Sequence, residues 1–150
     1  MARFDVVGSA TNTAAQTVIE VANSGTNHRL FLEAITFGAT GTPDDEASEY
    51  QVRQTTGLNG PVSTAVTPRP VDALEAAADA EAWEDPNAEP TYASGALAEF
   101  GLQLRSPFRW VALSVKRRPQ VAASTGAGWG VICNAVTTAW AAHVTIRYEE

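Results

Sequence analysis

From Ala98 to Arg105 the side chains alternate with the period of a β-strand. Ala98, Phe100, Leu102 and Leu104 share one parity, and Glu99, Gln103 and Arg105 share the other. A period of two cannot line one face of a helix, so the segment is confined to a half-buried strand. The same texture recurs along the chain. Residues 17–22 set Ile19 and Val21 against Glu20, and residues 49–55 turn Tyr50 and Val52 inward. Residues 140–148 place Val144, Ile146 and Tyr148 opposite His143, Thr145 and Arg147. Residues 29–38 are apolar at both parities, which predicts a central strand covered on both faces. Residues 62–67, 108–115 and 129–136 read as further strands, and turn clusters such as Leu58-Asn59-Gly60-Pro61 separate them. About eight strands at near-regular spacing predict an all-β fold, a β-sandwich of jelly-roll-like form. One domain spans residues 1–150, with residues 1–15 as an N-terminal arm.

The alternation is interrupted once, by a long crossover at residues 68–95. Asp72 is placed to cap a short helix over residues 73–82, with Glu75 three positions on as in a capping box. Leu74 is the large apolar anchor of that otherwise Ala- and Glu-rich helix. Trp83 follows in a polar setting and is expected to anchor the arm, on its own sandwich or on a partner. Such an arm would lie on the sandwich surface or against a neighbouring subunit.

Composition narrows the chemistry. The 150 residues carry 17 acidic and 10 basic side chains, a net charge of −7, which opposes binding to nucleic acid through its phosphates. No signal peptide is visible at the N-terminus, and apolar runs are too short to span a bilayer, so no membrane partner is expected. The single Cys133 sits in an apolar strand pattern as a small hydrophobe, and one Cys with two distant His, His28 and His143, cannot make a structural zinc site. No nucleophile elbow or P-loop occurs; Gly126-Ala127-Gly128-Trp129-Gly130 leads into a strand and reads as close backbone packing. Asp44-Asp45-Glu46 reads as a solvated acidic loop without calcium-loop spacing. No catalytic, cofactor-binding or metal-binding residue is therefore expected, and no cofactor. Nine of the ten basic residues are Arg, the cation favoured at interfaces. Lys116-Arg117-Arg118 is the one basic cluster, and with Asp72, Leu74 and Trp83 it forms the expected partner-binding set.

Several stretches taken in succession carry a resemblance. They are Ala34-Ile35-Thr36-Phe37-Gly38-Ala39-Thr40-Gly41-Thr42-Pro43, Tyr50-Gln51-Val52-Arg53-Gln54-Thr55-Thr56, Ser63-Thr64-Ala65-Val66-Thr67-Pro68, Ala88-Glu89-Pro90-Thr91-Tyr92, Arg105-Ser106-Pro107-Phe108-Arg109-Trp110-Val111 and Gly128-Trp129-Gly130-Val131. Together they are similar to small virion structural proteins of tailed bacteriophages, the capsid decoration or cement class. The resemblance implies a non-enzymatic protein made in the bacterial cytoplasm. It would finish on the virion, bound to the major capsid protein on the outside of the shell as a homo-oligomer, with a trimer favoured. The alternative is a carbohydrate-binding or host-adhesion module using exposed aromatics. A cupin-type enzyme would need clustered His and carboxylates, which His28 in a turn and His143 on an outward parity do not provide.

Overall fold

The computed structural model describes residues 1–12, 15–40, 47–57, 64–85, 89–103, 105–134 and 140–150, with the backbone alone for Asn12 and Trp140. The acidic run at 44–46, the turn at 58–61, the first two residues of the strand expected at 62–67 and the Trp140 side chain lie outside them. The described residues form twelve strands: β1 (Arg3–Asn12), β2 (Gln16–Asn23), β3 (Phe31–Thr40), β4 (Ala47–Gly57), β5 (Thr64–Val66), β6 (Arg69–Pro70), β7 (Ala80–Glu84), β8 (Thr91–Tyr92), β9 (Ala98–Gln103), β10 (Phe108–Val111), β11 (Gly128–Cys133) and β12 (Trp140–Glu149). They make two antiparallel sheets. The first has the order β10-β3-β12-β1-β6; the second has β5-β7-β2-β11-β4, with β8 and β9 following one another along the outer edge of β4.

The two sheets pack face to face as a sandwich. Cross-strand rows align the inward residues of the first sheet: Phe4–Tyr148–Leu32, Val6–Ile146–Ile35 and Val144–Phe37. The second sheet contributes Val21, Trp129, Val131, Val52 and Tyr50, and all of these side chains are buried. Phe37 sits in an aromatic cluster with Tyr50, Phe100 and Phe108, at centroid separations of 4.9, 5.5 and 6.0 Å. Such tilted pairs add about 0.5–1.5 kcal/mol each beyond their burial.

Apolar residues at both parities of β3 have a different cause from the one the sequence suggested. Arg147 pairs with Ala34 but Tyr148 pairs with Leu32, so Glu33 is the extra residue of a β-bulge. The bulge resets the parity and turns both Leu32 and Ile35 inward, while the other face of β3 stays partly open. A second bulge at Val18 does the same for β2, which is why Val18 and Ile19 are both buried.

Three expectations are corrected. Residues 3–12 of the expected N-terminal arm are instead a sheet strand, because β1 runs antiparallel to β12 over ten residue pairs and buries Phe4, Val6 and Ala10. Residues 73–82 of the crossover do not form a helix. Asp72 closes one turn, its Oδ1 accepting from Leu74 N at 3.0 Å and its carbonyl from Glu75 N at 3.1 Å, and the chain then enters β7. Ala80 and Ala82 alternate with exposed Glu81 and are buried against β2, so a sheet edge with open hydrogen-bonding groups outweighs the helix propensity of Ala and Glu. Nor is the crossover a free arm: β6, β7 and β8 join both sheets. Glu84 also ties them together, its Oε2 accepting from Ser9 N at 2.7 Å.

Candidate docking surface

The outward face of the first sheet is a lattice of Arg and carboxylates. Register pairs place Asp5 beside Arg147, and Arg147 beside Ala34 on β3. Arg147 makes a bidentate contact to Asp5, Nε to Oδ1 at 2.7 Å and Nη2 to Oδ2 at 2.6 Å. Arg109, next along the face on β10, is exposed and has no hydrogen-bond or ion-pair partner among the described residues. Arg109 and Arg147 are shared by two adjoining depressions. One, of about 210 Å³, is also lined by Asp5, Thr36 and Thr145; the other, of about 320 Å³, by Arg3, Glu33, Val111 and Val115.

Beyond β10 the chain leaves the sheet and forms a single 3-10 turn at Val115–Arg117. The rim so made is apolar as well as basic. Val111 is 51% exposed, Leu113 91% and Val115 68%, and they lie in sequence between Arg109 and the exposed Lys116 and Arg117. Residues 108–115 had been expected as one strand, but the ladder to β3 ends at Val111. Val111, Leu113 and Val115 share the parity of Arg109, opposite to the inward Phe108 and Trp110. That parity was the sequence signal for their exposure.

Arg118 is corrected out of the partner-binding set. Its side chain is 5% exposed and points into the fold. Nη1 donates to Glu33 Oε1 and to Glu149 Oε2, both at 2.7 Å, and the guanidinium lies 5.3 Å from the Phe31 ring centroid. Hydrogen bonding to Arg118 holds the Glu149 carboxyl below its ordinary value, against the opposing effect of burial. The other predicted residues are dispersed. Lys116 and Arg117 stand beyond β10; Asp72 and Leu74, the latter 94% exposed, follow β6 at the opposite edge of the same sheet. Trp83 is half-buried on the second sheet, paired with Glu20 on β2 and Ala65 on β5. Trp83 thus belongs to the strand that anchors the crossover on its own sandwich.

Sequence reading gave no sign of a second polar cluster, on the outward face of the second sheet. Glu20, Gly130 and Arg53 form one cross-strand row. Tyr92 lies over the glycine with its ring 5.3 Å from the Arg53 guanidinium carbon, and its hydroxyl meets Thr17, whose Oγ1 also contacts Glu89. A Cβ at residue 130 would run into the Tyr92 hydroxyl, so glycine there makes room for the cover. Burial, with smaller contributions from the Glu89 and Glu20 carboxylates, pushes the Tyr92 phenol up. Glu20 is fully buried beneath this segment although it has the outward parity of β2.

Cys133 and His143 stand in different sheets. The Cys133 sulfur is buried 3.0 Å from Ser48 Oγ, and burial pushes its thiol up; His143 Nε2 lies 3.1 Å from Thr40 Oγ1 on the outward face of the first sheet. The two do not form a nucleophile–base pair. No family model, no curated protein and no solved structure matches this chain.

Proposed function

We propose that this chain is a non-enzymatic structural protein of a phage virion that binds the outer surface of the capsid and stabilises the shell. The observation that carries the reading is the rim beyond β10, where Val111, Leu113 and Val115 are exposed beside Arg109, Lys116 and Arg117 on a chain of net charge −7. Exposed apolar residues grouped with Arg mark contact surfaces, because Arg presents a planar, weakly hydrated fork and the apolar groups gain by leaving water. The local excess of positive charge favours an acidic patch on the capsid protein and speeds encounter with it. A stable contact needs about 800 Å² on each partner, more than the rim alone, so the outward face of the first sheet contributes too.

The strand order supports a jelly roll. With the crossover strands set aside, the sheets read β1-β12-β3-β10 and β2-β11-β4-β9, the interleaved order of two Greek keys. Two stacked sheets, bulged in register and tied by Glu84 to Ser9, suit a passive clamp. Binding at a symmetry axis of the shell makes the protein a homo-oligomer, a trimer at a three-fold axis. The major capsid protein is the partner in this reading, and the virion the final location.

The test mixes the purified chain with undecorated shells built from the major capsid protein of the phage to which this reading assigns it. The expected result is co-sedimentation at micromolar concentration and a raised disruption temperature, both abolished by Lys116→Glu with Arg117→Glu. Absence of binding by the wild-type chain, or full binding by a folded double variant, overturns the reading.

A further inference from the structure

We infer that the gap in the edge of the second sheet is a binding site for a neutral polyhydroxyl ligand the size of one sugar ring. The site is separate from the rim and independent of the capsid reading.

The gap is built by a detour of the backbone. The segment between β8 and β9 is bonded to the edge of β4 on both sides of the gap, Ala93 N to Gln54 O at 2.9 Å and Leu97 N to Val52 O at 2.7 Å. Between these bonds the edge spends the five residues 93–97 opposite the three residues 52–54. Gly95 takes φ +83° at the apex, a conformation that glycine adopts without strain. The surplus chain swings away from the sheet and leaves a cavity of about 280 Å³, with Pro119 and Gln120 on its other wall. That is near the lower bound for small-molecule sites and suits one ring.

Its lining has a definite chemistry. Trp129 and Gln54 are cross-strand neighbours on β11 and β4, so their side chains share the inward face, and both line the cavity. Trp129 is 2% exposed, and its indole N–H is buried without a hydrogen-bond partner among the described residues. That N–H is closed to solvent, so the indole serves as a wall of the cavity and its signal as a reporter of a ligand beside it. Gln54, Gln120 and Ser94 are also on the lining, and no hydrogen bond engages their side chains among the described residues. Amides and hydroxyls each donate and accept, which matches sugar hydroxyls that do both. None of the lining side chains is ionisable, so the cavity offers nothing to an anion or a cation, while Leu97 and Pro119 offer apolar contact to ring carbons.

The experiment uses the full chain and follows its indole N–H signals by ¹H–¹⁵N NMR. D-glucose, D-galactose and N-acetyl-D-glucosamine are titrated separately, with Trp129→Phe assigning the Trp129 signal. A saturable shift of that signal is expected for at least one sugar, with a dissociation constant on the order of 1 mM. Gln54→Ala and Gln120→Ala, both with wild-type melting temperatures, should weaken it about tenfold. Should Trp129→Phe fail to fold, the two Gln variants carry the test through the one indole signal that moves. No saturable shift with any of the three sugars, or unchanged affinity in both Gln variants, overturns the proposal. The capsid experiment reads a different surface, so either result can fail without the other.

Discussion

Replacing Arg118 by Ala removes a cation from between two carboxylates that the fold has already taken from water. The Glu33 side chain is 15% exposed and that of Glu149 7%, and each accepts from Arg118 Nη1 at 2.7 Å. Opposite charges this close attract by several kcal/mol even at an effective dielectric of about 20, but desolvation offsets most of that in the intact cluster. Removing one partner is different, because the desolvation remains and the attraction is lost, at a cost of about 3–5 kcal/mol. Arg3 recovers part of this. Its Nε lies 3.2 Å from Glu33 and 3.5 Å from Glu149, but its side chain is 55% exposed and water screens it. We therefore expect Arg118→Ala to lose about 3 kcal/mol at neutral pH, or about 6–12 °C in melting temperature.

The pH dependence separates charge from packing. The Glu149 carboxyl is held below its ordinary value of 4.5 in the fold, so its contribution to stability is present above the unfolded value and is lost as pH falls through the folded one. Without Arg118 the largest cause of that depression goes, leaving the exposed Arg3 against burial, and the carboxyl protonates more readily. The deficit of the variant should thus be greatest near pH 7 and shrink below about pH 4. Urea denaturation followed by tryptophan fluorescence at both pH values measures it, with Arg118→Met as a control that keeps the stem against Phe31. A loss under about 1 kcal/mol at neutral pH, or an equal loss at both pH values, would refute the charge cage.

Four further outcomes follow from the packing. Gly128→Ala should cost more than about 2 kcal/mol and Gly8→Ala distinctly less by thermal melting. A Cβ at residue 128 overlaps the Val21 carbonyl oxygen deeply, whereas at residue 8 it meets the Ile19 side chain at 2.9–3.0 Å, a smaller overlap that a slight parting of the sheets relieves. Replacing residues 73–77 by a short Gly-Ser link should leave the far-ultraviolet spectrum and cooperative melting intact, since they are exposed. Ala82→Glu should unfold the chain, because it buries a charge between β7 and β2. Cys133 should resist a thiol reagent in the native state and react at once in urea, burial having raised its thiol; rapid native labelling would contradict its placement.

Much of the candidate surface was legible in residue order. Lys116 and Arg117 are exposed at a turn as their composition suggested, and the parity of Arg109 extends to Val111, Leu113 and Val115. Arg118, one residue on, could not be told from its neighbours, because its partners are Glu33 and Glu149, 85 and 31 residues away. The same distance hides the Trp129 cavity, whose walls come from β4, the 93–97 detour and the segment around Gln120.

The sequence by itself determined that the chain is built of strands, which residues of β4, β9 and β12 turn inward, and that its chemistry is poor in nucleophiles and soft metal ligands. Those properties depend on side-chain period and residue type, which are local. Tertiary structure alone decided that residues 80–84 are a strand, that the bulges at Glu33 and Val18 reset parity, and which arginine is caged. In each case the deciding energy is a hydrogen-bond ladder or an ion pair with a segment remote in sequence. An Ala-Glu run that favours a helix in isolation becomes a strand when β2 offers it an unpaired edge.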